Sequence, residues 1–339
     1  MSLFTGLDGA GGYLLLLVVT FAMHALLIGF VLGAAAWATM RAVRGGDDVV
    51  AAAARDWLPF ALGAAITAGV APLLLVQVLY QHRMYTATLL LSHRFMAIVP
   101  ALIAGFYLLY LGKTARVAAW GRARRAAVSG AALAAFVFVA WTWIEEHTLA
   151  AAAPEVWVAH YRDGRLVHGD PVIAQRLVVW LGLAAAAFAV GAAWLTRRRA
   201  EATDLRRLGV VGLGGLLVAA GGVIAIDRGG SASVPAPGMT WLALAAVAHA
   251  VAALGFAALV TDRARLGRGL ATGGVIVLFV AVSAVREASR AARIEWRSTL
   301  VGAQGVFLFL GFLAISLAAI VWCARMVRAH LGSEPPART

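Results

Sequence analysis

Apolar residues in this chain do not alternate or recur with the period of a half-buried strand or surface helix. They run on without interruption. Nine such runs lie roughly at 13–40, 57–80, 86–112, 126–146, 173–195, 207–226, 239–261, 270–285 and 303–325. A helix that crosses a bilayer needs about 20 predominantly apolar residues, so the pattern predicts an all-α, polytopic bundle of about nine transmembrane helices. The first run is a span and not a signal peptide: no Lys or Arg precedes it, and it continues past the length of a signal-peptide core. No internal repeat and no appended soluble domain is visible, so residues 1–339 read as one integral membrane domain.

The polar positions between the runs give direction. Alternate connections hold Arg41, Arg44 and Arg55; Lys113, Arg116, Arg122, Arg124 and Arg125; Arg197, Arg198, Arg199, Arg206 and Arg207; and Arg263, Arg265 and Arg268. The tail adds Arg325, Arg328 and Arg338. Together these are most of the 29 basic residues. The positive-inside rule makes this side cytoplasmic, which puts the N-terminus outside and the C-terminus inside. The other face carries a connection from Glu145 to about Pro171, a Gly/Ser/Pro loop from Asp227 to Gly238, and the segment from Arg286 to Gln304.

Composition sharpens this picture. Of 339 residues, 62% are hydrophobic and 13% charged, against about 25% charged in soluble domains. A soluble globular enzyme and a disordered chain are both excluded. The net charge of +13 is a topology signal and a contact with anionic membrane lipids; with no soluble domain to carry it, nucleic-acid binding is not expected. Cys323 is the single cysteine, which excludes a disulfide framework, a cysteine-held cluster and covalent haem attachment.

An ionisable group inside a span is expensive and therefore a functional candidate. His24, His93 and His249 fall in spans one, three and seven, each about 10–17 Å below the outer interface at 1.5 Å per residue. Histidines on separate helices at one depth fit axial ligation of a b-type haem; they fit interhelical hydrogen bonds equally simply. Small residues flank two of them, at Ala25, Gly29 and Gly33 and at Ala248, Ala250 and Ala253. Met23, Met84 and Met96 are further thioethers, more simply read as packing. His147, His160, His168 and His330 read as solvated loop or tail residues, and His82 as the outer edge of span two.

Arg94, next to His93, needs an anion: a haem propionate, Glu145 or Glu146. Arg286, Arg290, Arg293 and Arg297 share one helical face on the outer side, against the positive-inside trend. They fit propionate binding or an acidic partner protein, and equally a surface helix with Glu287 and Glu295 as local partners. Glu145, Glu146 and His147 fit proton acceptors for quinol oxidation or, slightly better, a solvated helix end. Trp141, Trp143 and Trp296 fit interfacial aromatic belts.

The run Phe21-Ala22-Met23-His24-Ala25-Leu26-Leu27-Ile28-Gly29-Phe30-Val31-Leu32-Gly33 resembles the first helix of subunit I of the cytochrome bd quinol oxidases. Shorter likenesses occur at 60–69, at Pro171-Val172 with Ala174-Gln175, and at Leu254-Gly255-Phe256-Ala257. The resemblance implies a bacterial inner membrane location, haem b with His24 as a ligand, and quinone as substrate. Departures change the expectation. Where the family has a haem-ligating histidine in span five, this chain reads Gln175-Arg176-Leu177-Val178-Val179-Trp180. Where the third helix carries glutamates, it reads Ser92-His93-Arg94. The quinol loop is reduced to about Asp227–Gly238, and the methionine ligand of span seven is missing, with His249 two residues away.

A six-coordinate bis-histidine haem transfers electrons and does not readily bind oxygen. The resemblance, with its losses, implies a quinol-dehydrogenase type subunit. It would pass electrons between the quinone pool and an outer-face partner such as a cytochrome c or iron–sulfur protein. His24 with His93 is the expected ligand pair, and His249 a second ligand or a contact to propionate or quinone. The competing expectations are a cofactor-free transporter or channel using the intramembrane His and Arg, and a structural anchor subunit.

Overall fold

The computed structural model describes residues 10–164, 169–230 and 234–294, with Leu3 and the isolated positions Gly311, Ala314, Ile315, Ala318, Trp322 and Arg325. The ninth predicted span, and with it His168, Glu295, Trp296, Arg297, Cys323, Arg328, His330 and Arg338, lies otherwise outside the described residues. Among those described there is no strand, and eight helices are long and apolar enough to cross a membrane. The chain is an all-α, multi-pass membrane bundle.

The eight spans are α1 (Ala10–Arg44), α2 (Val49–Leu79), α4 with α5 (His93–Met96 and Ile98–Gly112), α7 (Arg122–Ala151), α9 (Pro171–Leu195), α10 (Ala202–Arg228), α11 (Ala236–Val260) and α12 (Ala264–Ala288). Short helices α3 (Gln81–Leu91), α6 (Ala115–Ala118) and α8 (Pro154–Arg162) join them. Helix α1 is the hub, packing on α2, α7, α9 and α12, while α9 pairs with α10 and α11 with α12. Several helix starts are set by local chemistry. Asp48 accepts from the Ala51 amide at 2.6 Å and Asp170 from the Val172 amide at 2.9 Å; Glu201 and Asp204 close a capping box at α10. Each satisfies amides that a helix start otherwise leaves open.

Two spans differ from expectation. The third does not run unbroken over 86–112. Ser92 takes φ 48°, ψ −125°, a region disfavoured for a residue with a Cβ, and divides α3 from α4, which continues past Ala97 into α5. The residues before the break are far less apolar than those after it. His93 therefore opens its apolar helix and does not sit a third of the way into it. The fourth span runs on past 146 to Ala151, so Glu145, Glu146, His147 and Thr148 are helical and not loop.

In a membrane, helices gain little from hiding apolar surface from lipid, and close packing has to come from small residues. The α11–α12 contact shows this. A Cβ on Gly255 would collide with the Ala271 backbone, and one on Gly274 with the Ala252 backbone. The same reciprocity joins α9 to α10, where Gly182 and Gly215 face each other. Gly273 has nothing within 4 Å of a built Cβ. Gly255→Ala should therefore force backbones apart and cost about 1–3 kcal/mol, read as a lowered Tm in detergent. Gly273→Ala should leave the Tm unchanged or raise it slightly, since alanine is the better helix former.

The arginine-rich ends of α1, α2, α5, α7, α9, α10, α11 and α12 lie together, as antiparallel alternation requires. Exposed ion pairs tie their loops. Arg55 pairs with Asp47, and Arg206 with Asp262, where Asp262 sits in the α11–α12 turn at φ 63°. The hydrogen bond from Arg206 holds the Asp262 carboxyl below its ordinary pKa. A depressed carboxylate contributes its stabilisation above the unfolded pKa of about 3.9 and loses it as pH falls through the folded value. Proteolytic nicking at this turn should be unchanged between neutral pH and about pH 5, and should rise below about pH 4. Asp262→Asn should abolish that pH dependence.

Candidate functional site

Because alternate helices run antiparallel, the end opposite the arginine-rich loops gathers the C-termini of α2, α7 and α12 and the N-termini of α4 and α9. Five short stretches of sequence thereby meet: Tyr80; Arg94; Trp141 to Thr148; Gln175 with Arg176; and Arg286 to Arg290. Their side chains form a buried polar cluster inside an otherwise apolar bundle.

Glu287 is fully buried and accepts from Arg286 Nη1 at 2.8 Å, from Arg290 Nε and Nη2 at 2.9 Å each, and from the Tyr80 hydroxyl at 3.2 Å. The Arg290 guanidinium carbon lies 4.2 Å from the Tyr80 ring centre, and that of Arg286 lies 3.8 Å from the Phe21 ring centre. These stacks hold two cations against α2 and α1. Glu145, also fully buried, takes Arg94 Nη2 at 2.5 Å and the Trp141 indole nitrogen at 3.2 Å. Arg176 Nη1 donates to Thr148 Oγ1 at 2.9 Å, joining α9 to α7.

Glu146 stands within electrostatic reach of Arg286, Glu287 and Arg290, and His147 within reach of Arg286, Arg290 and Arg176. Within this cluster four buried polar atoms have no hydrogen-bond partner among the described residues: Glu146 Oε1, His147 Nδ1, Gln175 Oε1 and Arg290 Nη1. A buried polar group left unmade costs about 1–3 kcal/mol. Four together mark a place built to hold something polar.

The sequence-derived candidates are placed as follows. His24 lies between α1 and α2. Its Nδ1 is 2.8 Å from the Ala65 carbonyl oxygen, and a Cβ on Gly69 would stand 2.8 Å from its Cε1. Arg286 is within electrostatic reach. His93 is exposed on α4, its Nδ1 2.8 Å from Ser92 Oγ. His249 is half-buried on α11, which packs on α10 and α12. The three histidines do not come together: among the described residues no group of three His, Cys, Asp or Glu could hold a metal ion. Of the candidates, His24, Arg94, Arg286 and Arg290 converge on one end and neighbourhood, while His93 and His249 stand apart.

Several solvated readings are corrected. Glu145, Glu146 and His147 are not a solvated helix end, and His160 is buried on α8. The arginine face is not a surface helix over its first two members: Arg290 is 1% exposed, and Glu287 is its partner inside the bundle. Arg293 is exposed. Trp141 bonds Glu145 in addition to any interfacial role. Tyr80, Glu287 and Gln175 went unnoticed as site residues in the sequence. One signal was present: Glu145, Glu146 and Glu287 are carboxylates far from the arginine-rich loops, and Glu287 precedes Arg290 by three residues.

No known family, characterised protein or solved structure matches this chain. The likeness to cytochrome bd rests on the short sequence motifs alone.

Breaking a buried ion pair on one side strands the other charge and costs about 3–5 kcal/mol. Glu287→Gln should therefore destabilise the bundle strongly, seen as a large fall in Tm. Tyr80→Phe removes a single hydrogen bond to a charged acceptor and should cost about 1–3 kcal/mol, with the fold retained.

Proposed function

We propose that this protein is the haem b-carrying membrane subunit of an electron-transfer complex, exchanging electrons between the quinone pool and a redox partner at the end that holds the buried cluster. The observation that carries the reading is the setting of His24. A ligating histidine characteristically donates its other ring nitrogen to a backbone carbonyl, which fixes ring and tautomer. His24 Nδ1 at the Ala65 carbonyl is in that arrangement and leaves Nε2 as the free acceptor. Gly69, without a side chain, lets the ring lie against α2. Arg286 supplies a cation close by for a carboxylate substituent.

The residues present fit one histidine ligand at His24. They do not fit His93 as its partner, because His93 faces outward from α4 beside Ser92. A bound haem b supplies one-electron redox chemistry. The chain's own part is to orient the imidazole through Ala65, to exclude water from α1–α2, and to hold positive charge at Arg286 against Phe21. Glu146 and His147 are bases at the same end for protons set free when a quinol is oxidised. A bacterial inner membrane location and partners such as cytochrome c or iron–sulfur proteins belong to this reading.

A pyridine haemochrome spectrum of the purified protein tests it. A b-type signal is expected, lost in His24→Ala and retained in His93→Ala. Well-folded protein without any b-type signal would sink the reading.

A second reading, a cofactor-free transporter, draws on the broken third span. Transport sites are commonly built at interrupted helices, and the Ser92 break lies two residues from Arg94, which pairs with Glu145. Substrate flux into proteoliposomes by protein lacking a chromophore would favour it.

A further inference from the structure

Among the three buried carboxylates, two are fully committed. Glu145 is held by Arg94 and Trp141, and Glu287 by Arg286, Arg290 and Tyr80. Glu146 is 2% exposed, and its Oε1 has no hydrogen-bond partner among the described residues. At the same end of the bundle are three more atoms in the same condition: Nδ1 of His147, which is 5% exposed, and Nη1 of Arg290, which is 1% exposed, with Arg290 within electrostatic reach of both Glu146 and His147, and Gln175 Oε1 near the start of α9. Buried polar groups in native proteins are satisfied by protein or by ordered water, and this set lacks protein partners among the described residues.

The mixture of donors and acceptors selects what would satisfy them. Arg290 Nη1 only donates, Gln175 Oε1 only accepts, and Glu146 and His147 can do either according to protonation. A bare cation would face Arg176, Arg286 and Arg290. A bare anion would face the Glu146 and Gln175 oxygens. A neutral molecule that both donates and accepts suits all four, and water is the smallest. Sites for buried water have this composition, two to four polar partners converging on one place.

We propose that Glu146, His147, Gln175 and Arg290 hold a buried water cluster through which the Glu146 carboxylate exchanges protons with the aqueous phase at this end of the bundle. In the step a protonated water gives its proton to Glu146, leaving water and a neutral carboxylic acid; the reverse step returns it. The groups facing this exchange come from every side. Glu145, with Arg94 of α4, stands behind on α7. Arg286, Glu287 and Arg290 come from α12 and the residues after it, Arg176 from α9, and Tyr80 from the end of α2. Arg290 is pinned in a two-pronged contact with Glu287, which turns its third nitrogen toward the waters. The inference does not rest on the haem reading, since either an electron-transfer subunit or a transporter uses a proton-exchanging acid.

The test uses full-length protein in lipid nanodiscs and infrared difference spectra across a pH titration. The expected result is a carbonyl-stretch band of a protonated carboxyl that grows on acidification and shifts promptly in D2O. It should be lost in Glu146→Gln and retained, displaced, in Glu146→Asp. A band unchanged in Glu146→Gln overturns the proposal, as does a carboxyl that resists deuterium exchange. If Glu146→Gln does not fold, radiolytic footprinting of the wild type after rapid mixing into 18O-water decides. Prompt label at His147 supports the water cluster, and no label there overturns it. A haem-free protein with an intact Glu146 band refutes the proposed function alone. A b-type spectrum without that band refutes the proton site alone.

Discussion

The Glu287 carboxylate accepts four hydrogen bonds from three side chains on two helices and their ends. An ionised group in a bilayer-spanning bundle is tolerable only if paired and hydrogen-bonded on all sides, and this requirement organises one whole end of the molecule. Arg290 reaches Tyr80 at the end of α2, Arg286 lies on Phe21 of α1, and both return to Glu287 at the end of α12. Three helices are thereby fixed where small-residue packing alone would leave them free to slide. The second pair, Arg94 with Glu145, does the same for the interrupted third span, which packs little against α1.

The opposite end meets the same physics differently. Its ion pairs, Arg55 with Asp47 and Arg206 with Asp262, are exposed. They are screened by water and salt and worth little individually. Their arginines serve topology and lipid contact. A cavity of about 230 Å³ opens there between α1, α2, α5 and α7, but its rim is largely self-paired, Lys113 lying 3.8 Å from Asp56. Charge thus has two separate uses in one chain. At the arginine-rich end it marks a side of the membrane, and at the other it is buried at a cost that only a specific arrangement offsets.

Sequence reasoning captures the spans because the need to satisfy every backbone group in lipid leaves only the helix, and apolar run length reads it directly. It also captures Arg94 and the Arg286–Arg290 pair, as cations that orientation does not account for. It fails where the signal is not local. Nothing in Ser92 announces a left-handed backbone conformation, so the third span looks continuous and His93 looks embedded. Glu146 and His147 look like a wet helix end because α7 is buried by α1, α3 and α9, which the local sequence does not reveal. Equal depth of three histidines implies a shared site only if their helices are neighbours, and α11 is not a neighbour of α1 in the main packing. Tyr80 was invisible for the same reason: its partner lies 207 positions away.

The two proposed sites are physically joined. His24 feels Arg286, Arg286 lies on Phe21 and bonds Glu287, and Glu287 shares Arg290 with the neighbourhood of Glu146. Where water is scarce, unit charges a few ångströms apart interact by several kcal/mol, against about 1 kcal/mol in bulk water. On the proposed reading, a change of charge at His24 would act on the cluster through Arg286, and a proton taken up by Glu146 would act back on His24, since coupling between sites is reciprocal. Redox change at one place and proton uptake at the other would be linked by electrostatics across a rigid frame. That makes the pinned geometry of Arg286, held by Phe21 on one side and Glu287 on the other, the element on which such coupling turns.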